Sequence, residues 1–99
     1  VDPETAARIT ALSEVFPNPF NPQCTIRFSL AQSEKVSLSI HDLRGRRVVS
    51  LLDGQLPAGE FEQIWDGLDH HGQSSSSGIY FLRLQAGEDL LSKKLILLR

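Results

Sequence analysis

Three prolines within residues 17–22 constrain this chain more than any other feature. They sit in Phe16-Pro17-Asn18-Pro19-Phe20-Asn21-Pro22. A proline has no N–H to give to a β-ladder and holds φ fixed, so Pro17, Pro19 and Pro22 exclude a central strand here. The segment reads instead as a stiff corner, with Phe16 and Phe20 placed to plug the end of a core. Asn18 and Asn21 read as turn residues bonding their own backbone. A second corner follows far along the chain, at Trp65-Asp66-Gly67-Leu68-Asp69, and leads through Gly72 into Ser77-Gly78-Ile79-Tyr80-Phe81.

Between and after the corners, apolar residues recur with period two, the mark of half-buried strands. A first strand falls within Ile9 to Phe16. In Cys24 to Leu30 the inward set is Cys24, Ile26, Phe28 and Leu30. In Lys35 to His41 it is Val36, Leu38 and Ile40, with Ser37, Ser39 and His41 outward. Asp42-Leu43-Arg44-Gly45 has Asp and Gly at the positions a type I turn favours. Arg46 to Leu52 is the next strand, broken by Asp53-Gly54 and again by Pro57-Ala58-Gly59. Glu60 to Trp65 has a defect in its alternation at Ile64, which a bulge would explain. Gly78 to Ala86 puts Tyr80, Leu82 and Leu84 on one face, and Leu90 to Leu98 is the last strand.

About seven short strands with turn signals at near-regular spacing predict an all-β fold, an antiparallel immunoglobulin-like β-sandwich. A small Greek-key barrel is the rival. Residues 1–11 read as a lead-in from an upstream domain and 12–99 as the sandwich. A helical turn over Glu4 to Arg8 would have nothing to pack on. The start lacks the basic and apolar regions of a signal peptide and is not Met, so a piece of a longer protein is expected.

Composition bears on the partners. At a net charge of −2 the 99-residue chain has no overall basic field to hold a phosphate backbone, so no nucleic-acid partner is expected. The Arg44, Arg46 and Arg47 cluster reads as a solvated turn. No apolar run reaches the length of a membrane span. The single Cys24 excludes an internal disulfide and reads as a small buried apolar residue.

Catalytic chemistry finds little support. His41 closes a strand on its outward face, and the adjacent His70 and His71 would point apart on an extended chain, so no metal centre and no cofactor are expected. Asp66 and Asp69 are the only Ca²⁺ candidates, and their spacing suits turn capping better. The Ser74–Ser77 run has no histidine and acid in support. Trp65 and Tyr80 could form a sugar-stacking platform, but a lone Trp on a sandwich strand belongs in the core. No enzyme activity is expected.

The ordered set of corners carries a resemblance. The proline corner leads into Thr25-Ile26-Arg27-Phe28; then come Asp42-Leu43-Arg44-Gly45-Arg46-Arg47-Val48, Pro57-Ala58-Gly59, Trp65-Asp66-Gly67, Ser77-Gly78-Ile79-Tyr80-Phe81 and a Lys-containing final strand. From about Leu12 to Arg99 the chain resembles the type IX secretion (Por secretion) C-terminal sorting domain, type A, which is similar to the immunoglobulin-like domain of the flagellar hook-cap protein. The resemblance implies a noncatalytic module, at the end of an exported protein, that directs secretion across the outer membrane and attachment to the cell surface. Its implied partners are the outer-membrane secretion and surface-attachment machinery and an upstream cargo domain, a hydrolase; the isolated domain is expected to be a monomer. By position, the family's sorting elements fall on Gly78 and Tyr80, on Lys93 and Lys94, and on Leu95, Ile96, Leu97 and Leu98. His41 stands where an aromatic Tyr is expected, and Ser74-Ser75-Ser76 replaces a more apolar stretch. A carbohydrate-binding or spacer module of a secreted glycoside hydrolase and a hook-cap-like assembly module are the alternatives. A terminal strand at a sheet edge would also offer unpaired backbone groups for strand addition by a partner.

Overall fold

The structure, a computed structural model, describes residues 9–99. The expected turn over Glu4 to Arg8, and the lead-in up to that point, lie outside the described residues.

Seven strands follow one another: β1 (Ala11–Phe16), β2 (Cys24–Leu30), β3 (Glu34–His41), β4 (Arg47–Leu56), β5 (Gly59–Trp65), β6 (Gly78–Ala86) and β7 (Asp89–Leu97). They form a three-stranded sheet in the order β1-β2-β5 and a four-stranded sheet in the order β4-β3-β6-β7. Every strand pair is antiparallel. The connectivity is that of an immunoglobulin-like sandwich with the fourth strand on the larger sheet.

The alternation decides which side chains meet between the sheets. Ile26, Phe28 and Leu30 of β2 face Val36, Leu38 and Ile40 of β3 and Leu82 and Leu84 of β6 across the core, all at most 1% exposed. Leu95 and Leu97 of β7 and Trp65 of β5 are fully buried with them. Cys24 joins this set opposite Trp65, 1% exposed. Burial pushes its thiol pKa up to about 11, against a backbone hydrogen bond with Trp65 that acts the other way. At pH 8 only roughly one thiol in a thousand would then be thiolate, the reactive form. We expect no Cys24 labelling by a thiol-disulfide reagent within minutes on the folded protein, and one label per chain in denaturant. Rapid labelling of the folded protein would contradict its place in the core.

Several local expectations are corrected. β4 does not end at Leu52: Asp53 pairs with Ser37 and Gly54 with Val36. The ladder to β3 carries the strand through a glycine that a turn reading would have used, and the chain turns only at Pro57, which cannot donate to the ladder. No bulge lies near Ile64. β2 and β5 pair in unbroken register from Cys24–Trp65 to Leu30–Gly59, and Ile64 simply faces out, 48% exposed. The register shifts fall instead between Leu12 and Glu14, Leu38 and Ser39, and Ile40 and His41. Phe20 plugs the core at 2% exposure, but Phe16 stays outside at 36%, with the Arg27 guanidinium 4.8 Å over its ring.

His41 does point away from the core, yet it is buried along with Ser39. It lies on the central strand of its sheet, between Arg47 and Phe81 in register. Its Nε2 meets Ser39 Oγ at 2.9 Å and its Nδ1 meets Gly45 O at 3.3 Å. A carbonyl can only accept, so Nδ1 donates to Gly45, and in the neutral ring Nε2 accepts from the Ser39 hydroxyl. The imidazole thus fills, with a polar tip on each side, the place where a larger aromatic was expected.

Candidate functional site

The two corners and the end of β7 converge on one pole of the sandwich. Phe20 folds inward from the proline corner to within 5.4 Å of the Trp65 ring, and Trp65 meets Tyr80 edge-on at 5.3 Å. Such contacts between buried rings stabilise by about 0.5–1.5 kcal/mol each beyond their area burial. The two polar tips then anchor the 66–77 loop. Trp65 Nε1 donates to Leu68 O at 3.0 Å and Tyr80 Oη to Ser76 O at 2.7 Å. The second bond, from a tyrosine at the start of a strand to a carbonyl four residues upstream, is a tyrosine corner. Tyr80 therefore has a structural duty in this pole.

Asp66 and Asp69 cap turns within the loop. Asp66 Oδ1 accepts from the Leu68 amide at 3.1 Å; Asp69 Oδ1 accepts from the amides of His71 at 2.8 Å and Gln73 at 3.0 Å. The Gln73 amide, the largest influence, holds the Asp69 carboxyl below its usual pKa; desolvation comes next and opposes it, and the His71 amide adds to the lowering. These bonds engage Oδ1 of each carboxylate, the geometry of turn capping. His70 and His71 do not point apart as an extended chain would make them: the loop is turned here, and their ring centroids lie 3.9 Å apart. His70 Nδ1 is engaged with Val48 O at 3.1 Å.

An open cleft of about 530 Å³ lies between this loop and the β3–β4 turn. Its acids and its phenol are already committed: Asp42 to Arg46, Asp69 to the loop amides, Tyr80 to Ser76. It has the polarity of a surface recess, and among the described residues no hydrogen bond joins its serines to His70, whose Nδ1 is held at Val48 O.

The proline corner does something that a local reading of Asn18 misses. The Asn18 side chain bonds not to its own turn but to β7: Nδ2 donates to Lys94 O and Oδ1 accepts from the Ile96 amide, both at 3.0 Å. Phe20 continues the pairing, its N–H donating to Ile96 O and its carbonyl accepting from Leu98 N, each at 2.9 Å. The corner thus runs as a short parallel strand along β7, with a side-chain amide standing in for a peptide group. β7 is an edge strand, but from the Lys94 carbonyl to the Leu98 amide its outward groups are covered. By the alternation of an antiparallel ladder, the outward groups left open among the described residues are those of Leu90 and Ser92 and the Lys94 N–H, and Leu90 is 58% exposed. Replacing Asn18 with alanine leaves Lys94 O and Ile96 N without their partner and should cost about 1–2 kcal/mol. Urea unfolding would read the loss, and hydrogen exchange at Ile96 should quicken; unchanged exchange there would refute the pairing.

Gly78, Tyr80 and Leu95 to Leu98 all fall in this pole. Leu95 and Leu97 are buried, Ile96 is half-buried and Leu98 is 52% exposed. Lys93 and Lys94 lie further along the edge, opposite Leu82 and Phe81, and both are exposed. Arg99 also belongs to the pole, though nothing in the sequence marks it beyond one cation after an apolar run. Its amide donates to Ser77 Oγ at 2.8 Å, its Nη2 to Gly67 O at 2.8 Å and its Nε to Ser75 O. Ser75 is buried, so one hydroxyl of the serine run sits where a more apolar residue was expected.

The family profile described as "Secretion system C-terminal sorting domain" matches residues 14–98. Among solved structures, the chain is similar to part of PorU in the crystal structure of its dimeric latent form from Porphyromonas gingivalis. That match has a TM-score of 0.69 and 25% identity, and covers 85% of this chain and 9% of that one. It is also similar to part of PorZ, described as an essential bacterial surface component of the type IX secretion system of the same organism. There the TM-score is 0.60 and the identity 22%, over 87% of this chain and 11% of that one. A likeness in fold alone extends to the alkylpurine DNA glycosylase AlkC of Pseudomonas fluorescens, with a TM-score of 0.50 and 16% identity over 84% of this chain and 28% of that one. The chain thus spans about a tenth of the length of PorU and PorZ. No curated protein sequence matches it.

Proposed function

The chain belongs to the family of secretion-system C-terminal sorting domains, and from that premise we propose that the pole where β7 meets the two corners is the surface the secretion machinery reads. The domain is noncatalytic. It serves type IX secretion, through which the protein that carries it crosses the outer membrane to the cell surface or the medium.

The observation that supports the pole is how burial divides the sorting elements. Tyr80, Leu95 and Leu97 are built into the core and hold the pole in shape. Lys93, Lys94 and Leu98 stand in solvent along the same strand end and are free to meet a partner. On this reading residues 12–99 are the sorting domain, monomeric by itself, and residues 1–11 join it to an upstream cargo domain, a hydrolase. Leu12, the first residue of β1 packed against the hydrophobic core, supports that boundary. A sugar-stacking platform finds no support, because Trp65 is fully buried and Tyr80 only 8% exposed.

Truncating β7 would be a poor test, since removing Leu95 and Leu97 opens the core and confounds export with folding. The exposed positions separate the two. A reporter fused to the whole chain should be exported by a strain with a working type IX system and retained by a strain lacking it. Replacing Lys93, Lys94 and Leu98 together by serine should lower export about tenfold or more, the size of effect expected from losing a charged contact, with Trp65 emission still blue and melting within a few degrees of the parent. Undiminished export of that variant would remove the pole as the recognised surface.

A further inference from the structure

The two outer faces of the sandwich carry opposite charge, which a net charge of −2 for the whole chain conceals. On the three-stranded sheet the register aligns Glu14, Arg27 and Glu62 in one row across β1, β2 and β5. Arg27 is held by both acids, at 3.1 Å and 2.7 Å. Glu60, opposite Ser29, adds a third acid to this face.

The four-stranded sheet is the reverse. One row reads Arg47, His41, Phe81, Lys94 across β4, β3, β6 and β7; the next reads Ser50, Ser39, Arg83, Ser92. Arg47, Arg83 and Lys94 are all exposed, and no acid lies within the salt-bridge distance of any of them among the described residues. The one acid in register on this face, Asp53, stands in the following row, opposite Ser37. Amid the cations lies an apolar centre. Ile79 and Ile96 are paired directly, Ile79 is 37% exposed, and Phe81 and Ile96 are half-buried. The buried Ser39–His41 hydrogen bond stiffens the strand beneath it.

We propose that this outer face, centred on Phe81, is a docking surface for an acidic protein partner in the export pathway. Among the described residues these cations have no ion-pair partner, while two of the three acids of the opposite face, Glu14 and Glu62, are tied to Arg27 and only Glu60 is left over, so the free positive charge of the sandwich is concentrated on one side. An apolar centre with a charged rim is the anatomy of a protein interface, in which the rim charges steer the encounter and reject wrong partners. The fourth cation of this face, Lys35, lies beyond Asp53, opposite Gln55, so only three cluster around Phe81, fewer than the roughly 4–8 that bind an anionic lipid surface, and the apolar groups here are half-covered in a flat sheet with no protruding anchor. Arg47, Arg83 and Phe81 are not among the positions to which sorting has been assigned, so the face is a second contact beside the pole.

The inference rests on the sorting function, and the test separates the two. The full-length exported protein is followed in a strain with a working type IX system and in one without. Failure of the parent to be exported in the working strain would overturn the sorting function and this surface with it. Given normal export of the parent, Arg47→Glu with Arg83→Glu should lower export about tenfold, with melting within a few degrees of the parent. Arg47→Lys with Arg83→Lys should preserve export, and so should Glu60→Lys on the opposite face. Arg83→Ala alone, which introduces no repulsion, should still lower export severalfold. Unchanged export of the Glu variant, or an equal loss from Glu60→Lys, would overturn the proposal. So would sedimentation of the purified chain with phosphatidylglycerol vesicles, abolished by the Glu substitutions, because the face would then belong to a lipid surface.

Discussion

Trp65→Ala should cost about 3–5 kcal/mol, the largest loss expected from any single side chain here, and leave the domain marginal or unfolded at 37 °C. A domain of this size has only about 5–15 kcal/mol in total. Three effects combine. The indole is fully buried and is the largest side chain of the core. It is the middle ring of the Phe20–Trp65–Tyr80 cluster, so its removal strips both neighbours of a partner. Its N–H also holds Leu68 O, so the 66–77 loop loses one anchor. Trp65→Phe keeps a ring but not the N–H and should cost less, with a hydrogen bond of about 1 kcal/mol as part of the loss. Urea unfolding followed by far-UV circular dichroism measures both, since the chain has one Trp and its fluorescence disappears with the substitution. A Trp65→Ala loss below about 1 kcal/mol, the mean for any point mutation, would show that the aromatic cluster does not hold the pole together.

Gly67→Ala should cost about 2–3 kcal/mol from two sources. The backbone there has φ of +79°, a left-handed conformation that L side chains avoid. A Cβ would also lie 2.8 Å from Pro22 O and 2.8 Å from Arg99 Nη2. The arginine can move, though only by giving up its bond to Gly67 O. The proline carbonyl is backbone of the stiff corner and cannot yield cheaply. Gly45 supplies the comparison: its φ is +83° but no atom lies within 4 Å of its Cβ position. Gly45→Ala should therefore show the strain alone, about 1–2 kcal/mol. Each kcal/mol corresponds to about 4–8 °C of melting temperature in a domain of this size, so the two variants are distinguishable by thermal unfolding. Equal shifts would mean that the proline corner does not press on the loop.

Most of the strand framework is legible along the chain. β2 alternates from Cys24 to Leu30 and pairs with β5 residue for residue, and the inward set read from the pattern is the buried apolar set observed, with the outward Ser29 buried besides. The same holds for Tyr80, Leu82 and Leu84 on β6. Misreadings arise where local chemistry and sheet context compete. Asp53-Gly54 has the composition of a turn, yet the ladder from β3 runs through it. His41 has the parity of an outward residue, yet a central strand has neighbours on both sides, and these bury what faces out. Ile64 breaks the pattern for no structural reason that the fold reveals.

Of the pole, the residue types were legible and their partnerships were not. Prolines exclude a strand, glycines and aspartates mark turns, and an isolated Trp belongs inside; these follow from one to four residues of local sequence. The bonds of Asn18 to Lys94 and Ile96 span 76 and 78 residues, and those of Arg99 to Ser75 and Gly67 span 24 and 32. No periodicity encodes such contacts, because they depend on which strands become neighbours. The charge of the outer faces is hidden for the same reason. Alternation tells that Arg83, Lys94 and Arg47 point one way and Glu14, Glu60 and Glu62 another, strand by strand. Only the assignment of β1, β2 and β5 to one sheet and β4, β3, β6 and β7 to the other sums them into a basic face and an acidic one. The amino-acid sequence by itself determined the strands, their inward faces and the family; the tertiary structure decided which edge is closed, which loop is anchored and which face carries free charge, because those depend on pairings between segments far apart in the chain.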